Sequence, residues 1–240
     1  MSKLILIFIV SLFFSPLSVL AKNSYLIKQE TKLFGLHVLY LSANQFNLLN
    51  TKLQTQVYCQ KPDYVVYYIN HKSKVYFATP LNNVQDPQGF GIISFLVNGG
   101  KLIKNPDYWQ KKNIYKNKNY SGIVYKFKYP DTLKSKVNIF NELIISDNDN
   151  INPNFIKLHS KLNGFPIMPG LILELNFIFQ RRENERSTIN ELITTRSIEK
   201  LQTNITKPNL QTFHQVNSYN EYLGISSNKK ILNDFFDLTR

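Results

Sequence analysis

The side chains that most readily do chemistry are few in this chain and widely spaced. The sequence holds four histidines, His37, His71, His159 and His214, and one cysteine, Cys59. No two of these stand at metal-ligand spacing, so no zinc pattern can be written. No serine occupies a nucleophile elbow, no glycine-rich phosphate loop follows a strand, and no H-E-x-x-H occurs. A Cys59–histidine pair that meets only in the fold stays open as a nucleophilic arrangement. Cys59 sits mid-strand in TQVYCQ, however, where a small apolar filler is expected. Asp147 and Asp149 in SDNDN lack the glycine and terminal glutamate of an EF-hand loop and read as a solvated turn. Asn119-Tyr120-Ser121 and Asn204-Ile205-Thr206 match glycosylation acceptors, in a chain rich in asparagine. These residue types predict a protein that is not an enzyme and carries no cofactor and no metal.

What the chain offers instead is apolar surface. The stretch Lys61–Leu81, KPDYVVYYINHKSKVYFATPL, reads as two strands, Asp63–Ile69 and Lys74–Ala78, joined by a turn at Asn70–Ser73. Tyr64, Val66 and Tyr68 point one way, Val65, Tyr67 and Ile69 the other. A sheet that is apolar on both sides must be covered on both, by a helix, another sheet or a ligand.

The rest of the chain builds around that hairpin. Short alternating runs over 24–34, 36–41, 45–49 and 53–59 precede it, which predicts an antiparallel meander and not βαβ units. The glycine-bounded apolar run 89–100 reads as a short helix buried against the sheet, or as a mobile apolar loop over a cavity. Gly122–Tyr129 alternates Ile123, Tyr125 and Phe127 against Val124, Lys126 and Lys128, a strand with one apolar face. Lys136–Ser146 is a further strand. Pro153–Leu162 has apolar residues at helical spacing, with Asn152 able to cap it and Gly164 able to stop it. Leu171–Phe179 is a long apolar strand and Thr188–Leu201 the last one. Lys229–Leu238 shows helical spacing again. No internal sequence repeat is evident, and no linker divides the chain into two domains.

The N-terminus begins with Lys3, runs through an apolar core from Leu4 to Phe14 and reaches Ala21, the pattern of a cleaved secretory signal peptide. Pro16, Ser15 and Ser18 interrupt the run before it reaches the length of a membrane span. Residues 1–21 are thus expected to leave, and 22–240 to form one exported domain, periplasmic or extracellular. A lone cysteine offers no internal disulfide, so stability rests on packing, for which 17 Phe and 14 Tyr supply material. The formal charge is +13, and loss of Lys3 leaves +12. That balance favours anionic partners such as a membrane surface. Nucleic acid is not expected, because no recognition motif is present.

Several short motifs carry a family resemblance. They are Lys61-Pro62-Asp63-Tyr64 before the hairpin, Lys74-Val75-Tyr76-Phe77 after its turn, Asn163-Gly164-Phe165-Pro166 before Leu171, and Thr194-Thr195-Arg196-Ser197-Ile198 with the later Phe213. In this order the chain resembles the LolA/LolB/LppX-like lipoprotein-carrier fold. The resemblance implies an α+β, mainly antiparallel β architecture: a curved half-barrel sheet with a few short helices on its concave side. It also implies an apolar cavity for acyl chains. The carriers' gating arginine lies on an early strand, whereas the first arginine here is Arg181, so that role is not carried over.

The function expected is a non-catalytic, monomeric binder or carrier of an apolar, acyl-chain ligand or lipoprotein. Val66, Tyr68, Tyr76, Phe127, Leu173, Leu175 and Phe177 are its candidate lining. The alternative is an envelope structural or protein-interaction module whose sheet is filled by its own helices.

Overall fold

The computed structural model describes residues 24–31, 35–84, 105–128, 137–147, 150–181, 187–201 and 206–222. The expected signal peptide, the apolar run 89–100 and the helix over 229–238 lie outside the described residues. Among the described residues the strands are β1 (Ser24–Thr31), β2 (Gly35–Leu41), β3 (Gln45–Asn50), β4 (Thr55–Gln60), β5 (Val65–Asn70), β6 (Val75–Pro80), β7 (Trp109–Lys116), β8 (Ser121–Phe127), β9 (Val137–Ser146), β10 (Ile172–Arg181), β11 (Ser187–Leu201) and β12 (His214–Gln215). They form one sheet in the order β12-β6-β5-β4-β3-β2-β1-β11-β10-β9-β8-β7. Every pairing is antiparallel except β12 with β6. The expected mainly antiparallel β fold with short helices is therefore present.

Strands β3 to β6 repeat a geometry that the residue identities hide. Each has six residues, and the turns between them are 51–54, 61–64 and 71–74, so the unit recurs every ten residues. The last residue of each turn has left-handed backbone: Gln54 at φ 53°, Tyr64 at 48° and Lys74 at 56°. That conformation reverses the chain without splaying the strands. Asn50 and Asn70 each fold a side-chain oxygen over the turn that follows. Asn50 Oδ1 accepts from the Leu53 N–H at 2.8 Å, and Asn70 Oδ1 accepts from Lys72 and Ser73, both at 3.0 Å.

The helix predicted from Pro153–Leu162 forms over those residues and is called α1. Asn152 caps it by accepting from the Asn154 N–H at 3.0 Å, and Pro153 fills the first turn, where no N–H is needed. Gly164, at φ 69°, closes it in left-handed geometry, and the Phe165 N–H returns to the Ser160 carbonyl at 2.9 Å. Lys161 ties the helix to the turn after β6, donating to the carbonyls of Asn82 at 3.2 Å and Val84 at 2.9 Å. A second short helix, α2 (Tyr219–Tyr222), follows β12.

The sheet buries two apolar clusters; on β8 and β9 they take opposite faces, Val124 and Ile144 in one, Phe127, Leu143 and Ile145 in the other. The first includes Ile27, Leu39, Leu41, Phe46, Leu48, Val57, Cys59, Val66, Tyr68, Val124 and Ile144, with Phe155, Ile156, Leu158 and Leu162 of α1 packed into it. The second includes Phe127, Leu143, Ile145, Ile172, Leu175 and Ile193, covered by Trp109, Phe165 and Met168. Both demands of a two-sided sheet are thus met in part by the chain's own segments.

Register irregularities decide which residue faces which cluster. Between Ile172 and Glu174 the pairing of β10 with β9 shifts by one residue, at Leu173. Similar shifts occur opposite Leu175/Asn176 and Lys28/Gln29, where β11 carries the extra residue, and between Lys111 and Ile114 on β7. An extra residue resets the alternation of faces and bends the strand that carries it.

Candidate ligand site

The seven predicted lining residues do not converge. Val66, Tyr68 and Leu173 lie in the first cluster; Phe127 and Leu175 lie in the second. The backbone of Phe177 sits in β10 opposite Asn141 and Asn190. Tyr76 is half-buried and turned away from the first cluster. Its cross-strand partner is Ile69, its ring centroid is 6.4 Å from that of Tyr67, and its hydroxyl donates to Gln215 at 2.9 Å.

Two physical causes account for the split. The four-residue turn pairs Asn70 with Val75, so even-numbered residues of β5 share a face with odd-numbered residues of β6. Phe77, not Tyr76, therefore stands beside Tyr68, with ring centroids 6.1 Å apart. The bulge at Leu173 is the second cause. Leu171 and Leu173 face the first cluster, but the extra residue turns Leu175 to the second. The first correction was within reach of the sequence, since any even turn length pairs even with odd positions. The bulge left no signal in LILELNF.

The first cluster is the better candidate for a ligand, and aromatic rings close one end of it. Tyr68 meets Tyr219 edge-on at 5.0 Å and Tyr222 at 6.0 Å, and Tyr222 donates to the Ile69 carbonyl at 3.4 Å. Burial pushes the hydroxyls of Tyr68 and Tyr222 up, out of reach of ordinary titration. Under α1, Phe155 packs against Phe46 at 6.1 Å and Tyr64 at 6.0 Å.

Polar groups missed from the sequence also enter this core. His37 Nε2 lies 3.0 Å from Asn50 Nδ2 and 3.4 Å from Thr31 Oγ1. Burial brings the His37 imidazole down to about 4, so the ring is neutral. His159, on the inward side of α1, is brought down to about 3 by burial, with a smaller contribution from His37. Its Nδ1 has no hydrogen-bond partner, nor has Ser160 Oγ beside it. Cys59 is fully buried between Phe46 and Val66, and burial pushes its thiol up to about 12. A thiol so held is not a nucleophile at neutral pH.

Among the described residues no set of three or more His, Cys, Asp or Glu side chains is placed to hold a metal ion, and no helix is long and apolar enough to cross a membrane. No protein-family model matches the chain. No curated protein matches it either.

Proposed function

We propose that the chain is an exported, non-catalytic protein that binds or carries an acyl-chain ligand on the α1 side of its sheet, in a LolA-like half-barrel. The observation that carries this reading is the quality of α1 as a filling. Its inward face is apolar at Phe155, Leu158 and Leu162, yet it also buries His159 Nδ1 and Ser160 Oγ without partners. Each unpaired buried polar atom costs on the order of 1–3 kcal/mol. A helix that filled the core permanently would gain by carrying apolar residues at both positions. A helix that yields to a ligand returns these atoms to water when it moves. The bulges on β7, β10 and β11 support the curvature a half-barrel needs. At ~25 cal/mol per Å² of apolar surface, an acyl chain replacing the helix would be held without any catalytic group. The inert Cys59 is consistent with a binder. The N-terminal pattern and the basic charge suit an exported protein near an anionic surface.

A second reading has its own support. At the centre of the first cluster Leu39, Phe46, Val66, Phe155 and Leu158 are wholly shielded from solvent by the chain's own side chains. An envelope structural or protein-interaction module with a self-filled core would have that property.

Titration with cis-parinaric acid, together with mass spectrometry of organic extracts of the purified protein, separates the two. The carrier reading expects saturable binding of one or two chains. It also expects several-fold weaker binding in His159→Leu, whose helix fills the core better. An absence of both saturable binding and co-purifying lipid overturns it in favour of the structural module.

A further inference from the structure

Glu174 stands where four strands bring acceptors together. Across β8, β9, β10 and β11 the register aligns Lys126, Glu142, Asn176 and Glu191 in one row. Glu174, two residues before Asn176 on β10, shares its side of the sheet. The outer members of the cluster are already engaged: Lys126 Nζ pairs with Glu142 at 3.5 Å, and Glu191 accepts from Thr194 at 3.0 Å.

At the centre Glu174 accepts from the hydroxyl of Tyr120, and the side chains of Asn176 and Tyr115 stand near enough to hold its carboxyl down in part. Asn176 is 8 % exposed, and its Oδ1 has no partner. The Tyr115 and Tyr120 rings lie against each other, with centroids 5.8 Å apart. Burial pushes the Glu174 carboxyl up, with the nearby Glu191 charge adding to it, as for an acid lacking a counter-charge.

Carboxylate and amide oxygen share one need, a donor bearing positive charge. An ammonium offers three N–H donors and no acceptor. We propose that Glu174, Asn176, Tyr115 and Tyr120 form a receptor for a single primary ammonium group, the head of an amphiphile whose chain extends into the first cluster. Tyr120 belongs to that cluster and Tyr115 packs against it, so the head site adjoins the apolar one. This deepens the acyl-ligand reading and rests on it for the tail.

Calorimetric titration of the full-length protein with decylammonium, decanol and butylammonium, all below micellar concentrations, tests head and tail separately. Decylammonium is expected to bind at least tenfold more tightly than decanol. Glu174→Gln, which keeps the size and a hydrogen bond to Tyr120, is expected to erase that difference and leave decanol unchanged. Asn176→Leu removes the orphaned oxygen and is expected to weaken the ammonium several-fold while the melting temperature holds or rises. Equal affinity for decylammonium and decanol, or a preference unchanged in Glu174→Gln, overturns the head site and leaves the acyl reading standing. Butylammonium binding that depends on Glu174, without binding of either decyl compound, overturns the tail and keeps the head site. No binding by any of the three overturns both.

Discussion

The side-chain amide of Gln29 on β1 donates to the main-chain carbonyl of Ile172 on β10 at 2.8 Å, reaching past β11, which lies between them. The same nitrogen contacts Thr195 Oγ1 at 3.2 Å, and Thr195 in turn donates to the Leu173 carbonyl at 2.6 Å. These carbonyls flank the bulge at Leu173, where the β9–β10 pairing is out of step. Gln29 and Thr195 are 3 % and 4 % exposed, so the bulge is closed by buried side chains and not by solvent.

Replacing Gln29 by leucine should therefore cost more than its loss of contacts suggests. The Ile172 carbonyl would stay buried with no side-chain donor, a penalty of about 2–3 kcal/mol. Urea unfolding of Gln29→Leu is expected to show that loss in the midpoint with an unchanged slope. A variant as stable as the parent would mean that the bulge carbonyls find another donor.

The turns of the ten-residue unit make the opposite prediction. Gln54 is exposed and sits in left-handed backbone, which costs an L-residue about 1–2 kcal/mol relative to glycine. Glycine gives back part of that gain through a freer unfolded chain. The net expectation for Gln54→Gly is a stabilisation of about 0.5–1 kcal/mol, seen as a rise of a few degrees in Tm. A fall in Tm would show that the Gln54 side chain holds the turn.

Gly170, just before β10, leaves no room for a side chain. A Cβ there would stand 2.2 Å from the Ser146 carbonyl oxygen, in the segment where the Ser146 N–H donates to Leu171 at 2.7 Å. Backbone on both sides cannot step aside cheaply. Gly170→Ala is expected to lose about 2–3 kcal/mol in chemical unfolding, whereas the same change at an exposed, unstrained position would be near neutral.

Much of this fold was legible because Val, Ile, Tyr and Phe alternate where strands form, and because Asn152, Pro153 and Gly164 bracket α1 with cap chemistry. The decade period of β3 to β6 was not legible. It lives in backbone angles at Gln54, Tyr64 and Lys74, none of them the glycine that such angles favour. WQKKNIYK, polar and basic with no clear alternation, forms β7 because Trp109 anchors its first residue in the second cluster.

The site was less legible than the fold. Naming residues for one face requires the strand register, which a single extra residue at Leu173 alters without changing the composition. Glu174 passed unnoticed as a polar position in an apolar strand, because its neighbours Tyr115, Tyr120 and Glu191 come from elsewhere in the chain. Gln29 and His159 were invisible for the same reason. Their roles depend on what lies opposite, not on their neighbours in sequence.

The two buried imidazoles set the response to acid. His37 and His159 ionise in the unfolded chain near their ordinary value of 6.5, but in the fold only at about 4 and about 3. As pH falls below 6.5 the unfolded state takes up protons that the native state refuses, so stability drops. Across the window from 6.5 to 4, His37 alone accounts for about 3 kcal/mol at 1.36 kcal/mol per unit of pH. Glu174 acts with the opposite sign: its raised carboxyl protonates first in the fold and returns some stability as pH passes through the carboxylate range. Urea unfolding at pH 7.5, 6 and 5 is expected to show a falling midpoint. In His159→Leu that fall should be shallower by about one proton, with little lost at pH 7.5, because the histidine Nδ1 it removes has no partner. A midpoint independent of pH over this range would mean that neither ring is held neutral by burial.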